Sequence, residues 1–128
     1  ELGRLLGRSS DEIEAHRLRS AREAARRAGA VVVLKGDDTI VVGPDGHPAV
    51  SGLSSPALAT AGTGDVLTGL VAALLARGLE PRAAAAAAVY AHARAGREAA
   101  ARVGAAESVV ATDVIAAVPA GLRPGGAA

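Results

Sequence analysis

The sequence predicts an α/β fold, in which a short strand meander follows one helix and precedes several others. Three observations support this prediction. A helix-start signal and apolar residues at helical spacing occupy residues 9–29. Short apolar and β-branched runs, separated by polar turns, follow between residues 31 and 52. Beyond residue 64 the chain is rich in alanine, the residue with the highest helix propensity.

The first predicted helix begins at a capping box, because Ser9 stands three positions before Glu12. Small and apolar residues recur at helical spacing up to Gly29, which we expect to end this helix. The arginines along it alternate with Glu14 and Glu23. Because positive and negative side chains are mixed along this helix, we expect their face to be solvated rather than a binding patch.

Three strands are predicted next. Residues 31–34, VVVL, form a continuous apolar run, which is typical of a strand buried on both faces. Residues 39–43, TIVVG, form the second strand, and residues 48–52, PAVSG, form the third. The turn between the second and third contains Asp45-Gly46, a pair suited to positive φ.

Three helices are predicted in the second half of the chain. Residues 65–78 have the pattern of a buried helix that stops at Gly78. Pro81 suits the first position of a long helix, on which we expect Tyr90 in the core and His92 packed or hydrogen-bonded. The last helix is predicted from a cap at Thr112 to Pro119, followed by a frayed tail at 120–128.

Composition excludes several classes of function. The 128 residues hold no cysteine, so disulfides and thiolate chemistry are excluded. A net charge of +1 and a single aromatic residue provide neither the field nor the stacking platform that nucleic acids need. The three histidines lack metal-ligand spacing, so we predict no protein metal site. No apolar run reaches the roughly 20 residues of a membrane span, and we expect a cytoplasmic protein without membrane partners.

The stretch AGTGD, residues 61–65, combines two glycines with a lone aspartate before an apolar helix. No lysine follows Gly64, as a P-loop requires, and Leu67 occupies the place of the last glycine of a dinucleotide fingerprint. Free amides at a helix start bind anions, so Asp65 could be a catalytic base beside an anion site. It could equally be a simple N-cap, and local chemistry leaves both alternatives open.

This stretch, continued as ATAGTGDVLTGLVAALLARG, resembles the signature of the ADP/ATP-dependent NAD(P)H-hydrate dehydratases of the ribokinase-like superfamily. Three other stretches resemble that family in the same order: VVVLKGDDTIVVGPDG, AVYAHARAG and ATDVIAAVP. One residue departs from the pattern, since Arg97 stands where the family often has an acid. The fold that the resemblance implies is ribokinase-like, with residues 1–128 as the C-terminal half of one domain. The chain starts at Glu1 without methionine, and we expect the N-terminal half to precede it.

The resemblance also implies roles for individual residues. Asp65 would bind the substrate and act as catalytic base. The anion hole would consist of Gly62, Thr63 and Gly64. The nucleotide-binding residues would be Lys35, Gly36, Asp37, Asp38, Thr39 and Gly64. Without the resemblance, residues 35–39 are ordinary turn chemistry, so a plain turn is the alternative.

The implied reaction is the nucleotide-dependent dehydration of hydrated NAD(P)H to NAD(P)H, with ADP or ATP as co-substrate, Mg²⁺ as cofactor and a homo-oligomeric full-length enzyme. We expect the isolated 128-residue chain to be inactive. Two alternatives stay open at this point. One is a ribokinase-like kinase of the hydroxyethylthiazole or pyridoxal type. The other is a non-catalytic nucleotide-binding fragment.

Overall fold

A computed structural model describes residues 1–123, which fall into two compact units, Glu1–Gly52 and a second that begins at Leu53. The first unit contains helices α1 (Leu2–Leu6), α2 (Ser10–Ala15) and α3 (Arg17–Ala28), and strands β1 (Val32–Leu34), β2 (Ile40–Val42) and β3 (Pro48–Val50). The second contains α4 (Thr63–Ala76), α5 (Pro81–Val103) and α6 (Ala111–Gly121), with short 3₁₀ turns at Pro56–Ala59 and Ala106–Ser108. None of the helices in residues 1–123 is long and apolar enough to cross a membrane.

The predicted capping box is confirmed at the start of α2. The Ser9 hydroxyl accepts a hydrogen bond from the Glu12 N–H at 3.2 Å, and the Glu12 carboxylate accepts one from the Ser9 N–H at 2.8 Å. The Ser9 hydroxyl also donates to the Glu12 carboxylate at 3.0 Å. The two hydrogen bonds that this carboxylate accepts hold the pKa of Glu12 below its ordinary value, the Ser9 backbone N–H contributing most and the hydroxyl next. The single helix expected from here to Gly29 is wrong, because His16 leaves the helical region at φ −138° and separates α2 from α3.

We predict that Ser9→Ala raises the pKa of Glu12 part of the way to its ordinary value, because the hydroxyl donor is lost while the backbone donor remains. It should also lower the free energy of unfolding by about 1 kcal/mol. Part of this stabilisation depends on the ionised form of Glu12. That part is fully present above the ordinary carboxyl pKa and is lost as the pH falls through the lowered pKa of Glu12 in the folded protein. A side-chain NMR titration of Glu12 checks this, with the exposed neighbour Ser10→Ala as control. An unchanged Glu12 pKa in Ser9→Ala contradicts it.

The three strands form the predicted meander, an antiparallel sheet in the order β1-β2-β3. Val33 pairs with Val41, and Val41 pairs with Ala49. The central strand β2 is fully buried, and Ile40 and Val42 pack against Ala21 and Ala25 of α3. The expectation that residues 31–34 are buried on both faces is wrong, since β1 is an edge strand and all three of its residues are only partly buried.

The core of the second unit is built from small side chains. Ala95 and Ala99 of α5 pack against Val114 and Ala117 of α6, where the helices can approach closely because the side chains are short. α5 also lies close to the 3₁₀ turn Pro56–Ala59 at Gly96, where a Cβ would lie 2.7 Å from Cγ of Leu58. Pro81 begins α5 as predicted.

Several details of the second unit differ from expectation. Tyr90 is half exposed rather than in the core, and its ring lies 5.7 Å from the Arg94 guanidinium, whereas His92 is buried as predicted. α4 buries one face instead of being buried all round. Thr112 does not cap α6: the carboxylate of Asp113 accepts the N–H of Val110 at 3.0 Å. Pro119 lies inside α6, which runs on to Gly121, so the frayed tail predicted at 120–128 is wrong at its first two residues. Residues 124–128 of that tail lie outside the described residues.

Candidate functional sites in two turns

The glycine turn of the second unit ends at Gly62, whose φ of 85° places it in the left-handed region. Glycine adopts this conformation without steric cost, which explains its use at the N-cap of α4. A Cβ at this position would also lie 3.2 Å from Cβ of Ala111, so the turn passes close to the start of α6. The helix begins at Thr63, two residues earlier than the sequence predicts, and Asp65 is therefore its third residue.

Three backbone donors at this helix start are free. The N–H groups of Gly62, Thr63 and Gly64 make no hydrogen bond within residues 1–123, whereas the Asp65 N–H donates to the Gly62 carbonyl at 3.1 Å. Unpaired amides at a helix N-terminus combine with the helix dipole to favour negative charge. These three donors belong to the residues that the resemblance names as an anion hole, and that role stays a prediction.

The side chain of Thr63 stabilises the backbone segment that precedes helix α4. Its hydroxyl is buried and lies 2.7 Å from the carbonyl oxygen of Leu58 and 2.9 Å from that of Thr60, so its single proton is shared between two acceptors. This hydroxyl fixes the backbone of residues 58–63. This role of the Thr63 side chain was not predicted from the sequence.

We predict that Thr63→Val lowers the free energy of unfolding by about 1–3 kcal/mol, because two carbonyls lose their donor while side-chain volume is kept. Chemical denaturation measures this. Thr63→Ser is the matched control, since it keeps the hydroxyl and should retain most of the stability. Equal stability of Thr63→Val and the unmodified protein would contradict the role given to the hydroxyl.

Asp65 is exposed, and its carboxylate makes no hydrogen bond within the described part of the chain. Glu12 and Asp113 occupy the same third position of α2 and α6, and both reach back to the N–H of their N-cap residue. Asp65 does not, and the N-cap of its helix is Gly62. The alternative that Asp65 is the N-cap is therefore wrong. Its carboxylate is free to accept a proton or a hydrogen bond from a ligand.

The second turn, in the first unit, contains residues 35–39 and connects β1 to β2. Thr39 closes it: its hydroxyl donates to the Gly36 carbonyl at 3.1 Å and accepts the Gly36 N–H at 3.3 Å. Lys35, Gly36, Asp37 and Asp38 are exposed. The five residues named from the sequence thus form one surface turn with a fixed backbone.

Arg17 of α3 lies against this turn, a contact that was not predicted from the sequence. Its Nη2 donates to the carbonyls of Leu34 at 3.3 Å, Lys35 at 3.0 Å and Asp38 at 3.4 Å. Its Nε is 3.4 Å from the Asp38 carboxylate, and its Nη1 is 3.0 Å from Glu14. No signal in a single sequence separates Arg17 from the neighbouring arginines of this helix.

Residues 1–123 contain no group of three or more histidine, cysteine, aspartate or glutamate side chains placed to hold a metal ion. A magnesium ion bound with a nucleotide needs fewer protein ligands, because Mg²⁺ keeps several waters and uses one or two carboxylates together with the phosphates. The exposed carboxylate of Asp37 fits that requirement.

The described residues form an α/β protein with a glycine-rich start to helix α4, a feature found in proteins that bind anionic ligands. A family model described as NAD(P)H-hydrate dehydratase matches residues 1–120, and the chain belongs to that family. The predicted α/β fold is confirmed by the three-strand sheet and the helices of residues 1–123. Membership favours the dehydratases over the kinases considered from the sequence.

Among curated relatives, the chain is 42% identical over 123 residues to the bifunctional NAD(P)H-hydrate repair enzyme Nnr of Moorella thermoacetica, covering 96% of the chain and 23% of the relative. It is 39% identical to the ADP-dependent (S)-NAD(P)H-hydrate dehydratase of Xanthomonas campestris, covering 81% and 36%. The chain therefore spans well under half the length of these two relatives.

A solved structure is also similar. It is the ADP/ATP-dependent NAD(P)H-hydrate dehydratase of Bacillus subtilis, co-crystallised with ATP/Mg²⁺ and soaked with CoA. The TM-score is 0.85 at 31% identity, and the match covers 93% of this chain and 44% of that one. The three comparisons agree on one family.

Proposed function

We propose that this chain carries the catalytic aspartate and a nucleotide-binding turn of an enzyme that dehydrates hydrated NAD(P)H to NAD(P)H at the expense of ADP or ATP. The observation that carries the proposal is the start of α4, where an exposed, unbonded carboxylate stands beside three free amides. Family membership and the names of the relatives support the choice of reaction.

Dehydration needs an activated hydroxyl, because hydroxide is a poor leaving group. Asp65 accepts the proton of the substrate hydroxyl while the oxygen of that hydroxyl attacks the terminal phosphorus of the nucleotide. The bond from that phosphorus to the bridging oxygen of the nucleotide breaks. ATP then becomes ADP, or ADP becomes AMP. The C–O bond of this phosphate ester then breaks, inorganic phosphate leaves with the electron pair, and the neighbouring carbon loses a proton to water, which restores the reduced nicotinamide. A general base in this position contributes roughly 10²–10⁴-fold to the rate.

The amides of Gly62, Thr63 and Gly64 supply hydrogen bonds to the phosphoryl oxygens during transfer, where negative charge is spread over those oxygens. Residues 35–39 bind the nucleotide mainly through backbone groups. Asp38 is already paired with Arg17, which supports a backbone role for it. Magnesium, when bound with the nucleotide, neutralises phosphate charge, and Asp37 is the carboxylate of this turn available to it.

The test is an assay of the full-length protein with hydrated NADH, monitoring the absorbance of reduced nicotinamide. We expect recovery of NADH with ADP or ATP and Mg²⁺, and none without nucleotide. No recovery with either nucleotide would reject the proposed reaction. We further expect a cytoplasmic homo-oligomer with no nucleic-acid or membrane partner, which cell fractionation and light scattering can measure.

A further inference from the structure

We infer that Arg17 is a positioning residue for nucleotide binding, which acts by holding the backbone of residues 35–38. This inference rests on the proposed function, because it takes that turn as part of the nucleotide site. Arg17 itself is given no contact with substrate or nucleotide.

The first support is the number of acceptors around the two Nη groups of the guanidinium, since the buried Nε has an ion-pair contact with Asp38 but no hydrogen bond among the described residues. Within 3.4 Å the guanidinium has three backbone carbonyls and the carboxylates of Glu14 and Asp38. Its side chain is 15% exposed, so it is not a solvated surface arginine. A planar guanidinium with five donors can serve this many acceptors, whereas a lysine ammonium has three donors and no fixed fork.

The second support is electrostatic. The turn presents Asp37, Asp38 and a group of carbonyl oxygens, all of which repel the phosphates of a nucleotide. Arg17 binds the Asp38 carboxylate and two carbonyls of the turn, those of Lys35 and Asp38. This leaves the Lys35 ammonium exposed at a turn whose negative groups are partly neutralised. Removing Arg17 therefore loosens the turn and makes it less favourable to an anion.

The third support is Gly36. Its φ lies outside the left-handed region, so the turn does not need glycine for its backbone conformation. A Cβ at this position would instead collide with the guanidinium of Arg17, 2.8 Å from Cζ and 3.0 Å from Nη1. The absence of a side chain at Gly36 thus allows the guanidinium to lie directly against this turn, and a larger residue here would displace it.

Arg22 of the same helix offers a matched control. Its Nε donates to the Gly46 carbonyl at 2.9 Å, so it too ties α3 to a turn of the first unit, but to the one between β2 and β3. Loss of Arg22 removes a comparable structural bond and leaves residues 35–38 in place.

The experiment compares Arg17→Ala, Arg17→Lys and Arg22→Ala in the full-length protein, measuring kcat and KM for ADP, ATP and the hydrate below the melting temperature of every variant. For Arg17→Ala we expect the nucleotide KM to rise roughly tenfold, since hydrogen bonds to a charged group are lost, with little change in kcat or in the KM for the hydrate. Arg17→Lys should give a smaller rise, and Arg22→Ala should keep the nucleotide KM of the unmodified protein.

Two results would overturn the inference: unchanged nucleotide KM in Arg17→Ala and Arg17→Lys, or an equal rise in Arg22→Ala, which would show general loosening of the unit. If Arg17→Ala does not fold, Arg17→Lys alone decides, because it keeps the charge and loses the fork. Failure of the unmodified protein to use nucleotide at all would reject the proposed function and this inference with it. Normal turnover with unaffected Arg17 variants would reject only the inference.

Discussion

Asp65→Asn should lower kcat at least about 100-fold, since asparagine cannot take the hydroxyl proton and a positioned base contributes this much or more. Folding should be nearly unaffected, because the Asp65 carboxylate is exposed and makes no hydrogen bond in residues 1–123. The nucleotide KM should change little, since the amides of the turn remain. Steady-state kinetics of the full-length protein, together with its melting temperature, measure both effects.

Asp11→Asn is the matched control for this substitution. Asp11 is also exposed and lies in the first turn of a helix, α2, so the same change of charge occurs at a similar position away from the glycine turn. It should keep the kcat of the unmodified protein. Undiminished dehydration by Asp65→Asn would remove Asp65 from the mechanism and leave the acid only its interaction with the helix dipole.

Gly62→Ala should damage both stability and turnover. Alanine at φ 85° costs roughly 1–2 kcal/mol, and here the new methyl also meets Ala111 at 3.2 Å, so the turn must move. A displaced turn misaims the free amides of residues 62–64, which lowers kcat. Denaturation measures the first effect and steady-state kinetics the second.

Gly104→Ala separates these two effects. Gly104 belongs to the same unit and has φ 88°, but a Cβ there would meet nothing within 4 Å. Its substitution should cost similar backbone energy and leave kcat unchanged. If Gly62→Ala turns over hydrate as fast as Gly104→Ala does, the amides of the glycine turn have no part in catalysis.

Features set by neighbouring residues could be predicted from the sequence. The Ser9–Glu12 capping box, the start of α5 at Pro81 and the three-strand meander all depend on local signals, and all three are confirmed. The start of α4 was placed two residues late, because no polar side chain marks it: its N-cap is a glycine. Such a start is recognised only from the backbone conformation.

Features set by distant contacts could not be predicted. Arg17 lies 17 to 21 positions from the carbonyls that it binds, and its spacing from Glu14 looks like an ordinary surface pair. Tyr90 was expected in the core because its residue type is often buried, yet it is half exposed. An apolar pattern likewise indicates that α4 can be buried but does not specify which of its faces is. The free state of the Asp65 carboxylate, on which the proposed base depends, also needed the structure.

The most direct test of the proposed chemistry follows the hydroxyl oxygen of the substrate. Hydrated NADH labelled with a heavy oxygen isotope in that hydroxyl would be turned over by the full-length protein with ATP, and the products analysed by mass spectrometry. If Asp65 activates the hydroxyl for phosphorylation, the label appears in the released inorganic phosphate. Label found in water instead would mean direct loss of the hydroxyl and would contradict the mechanism.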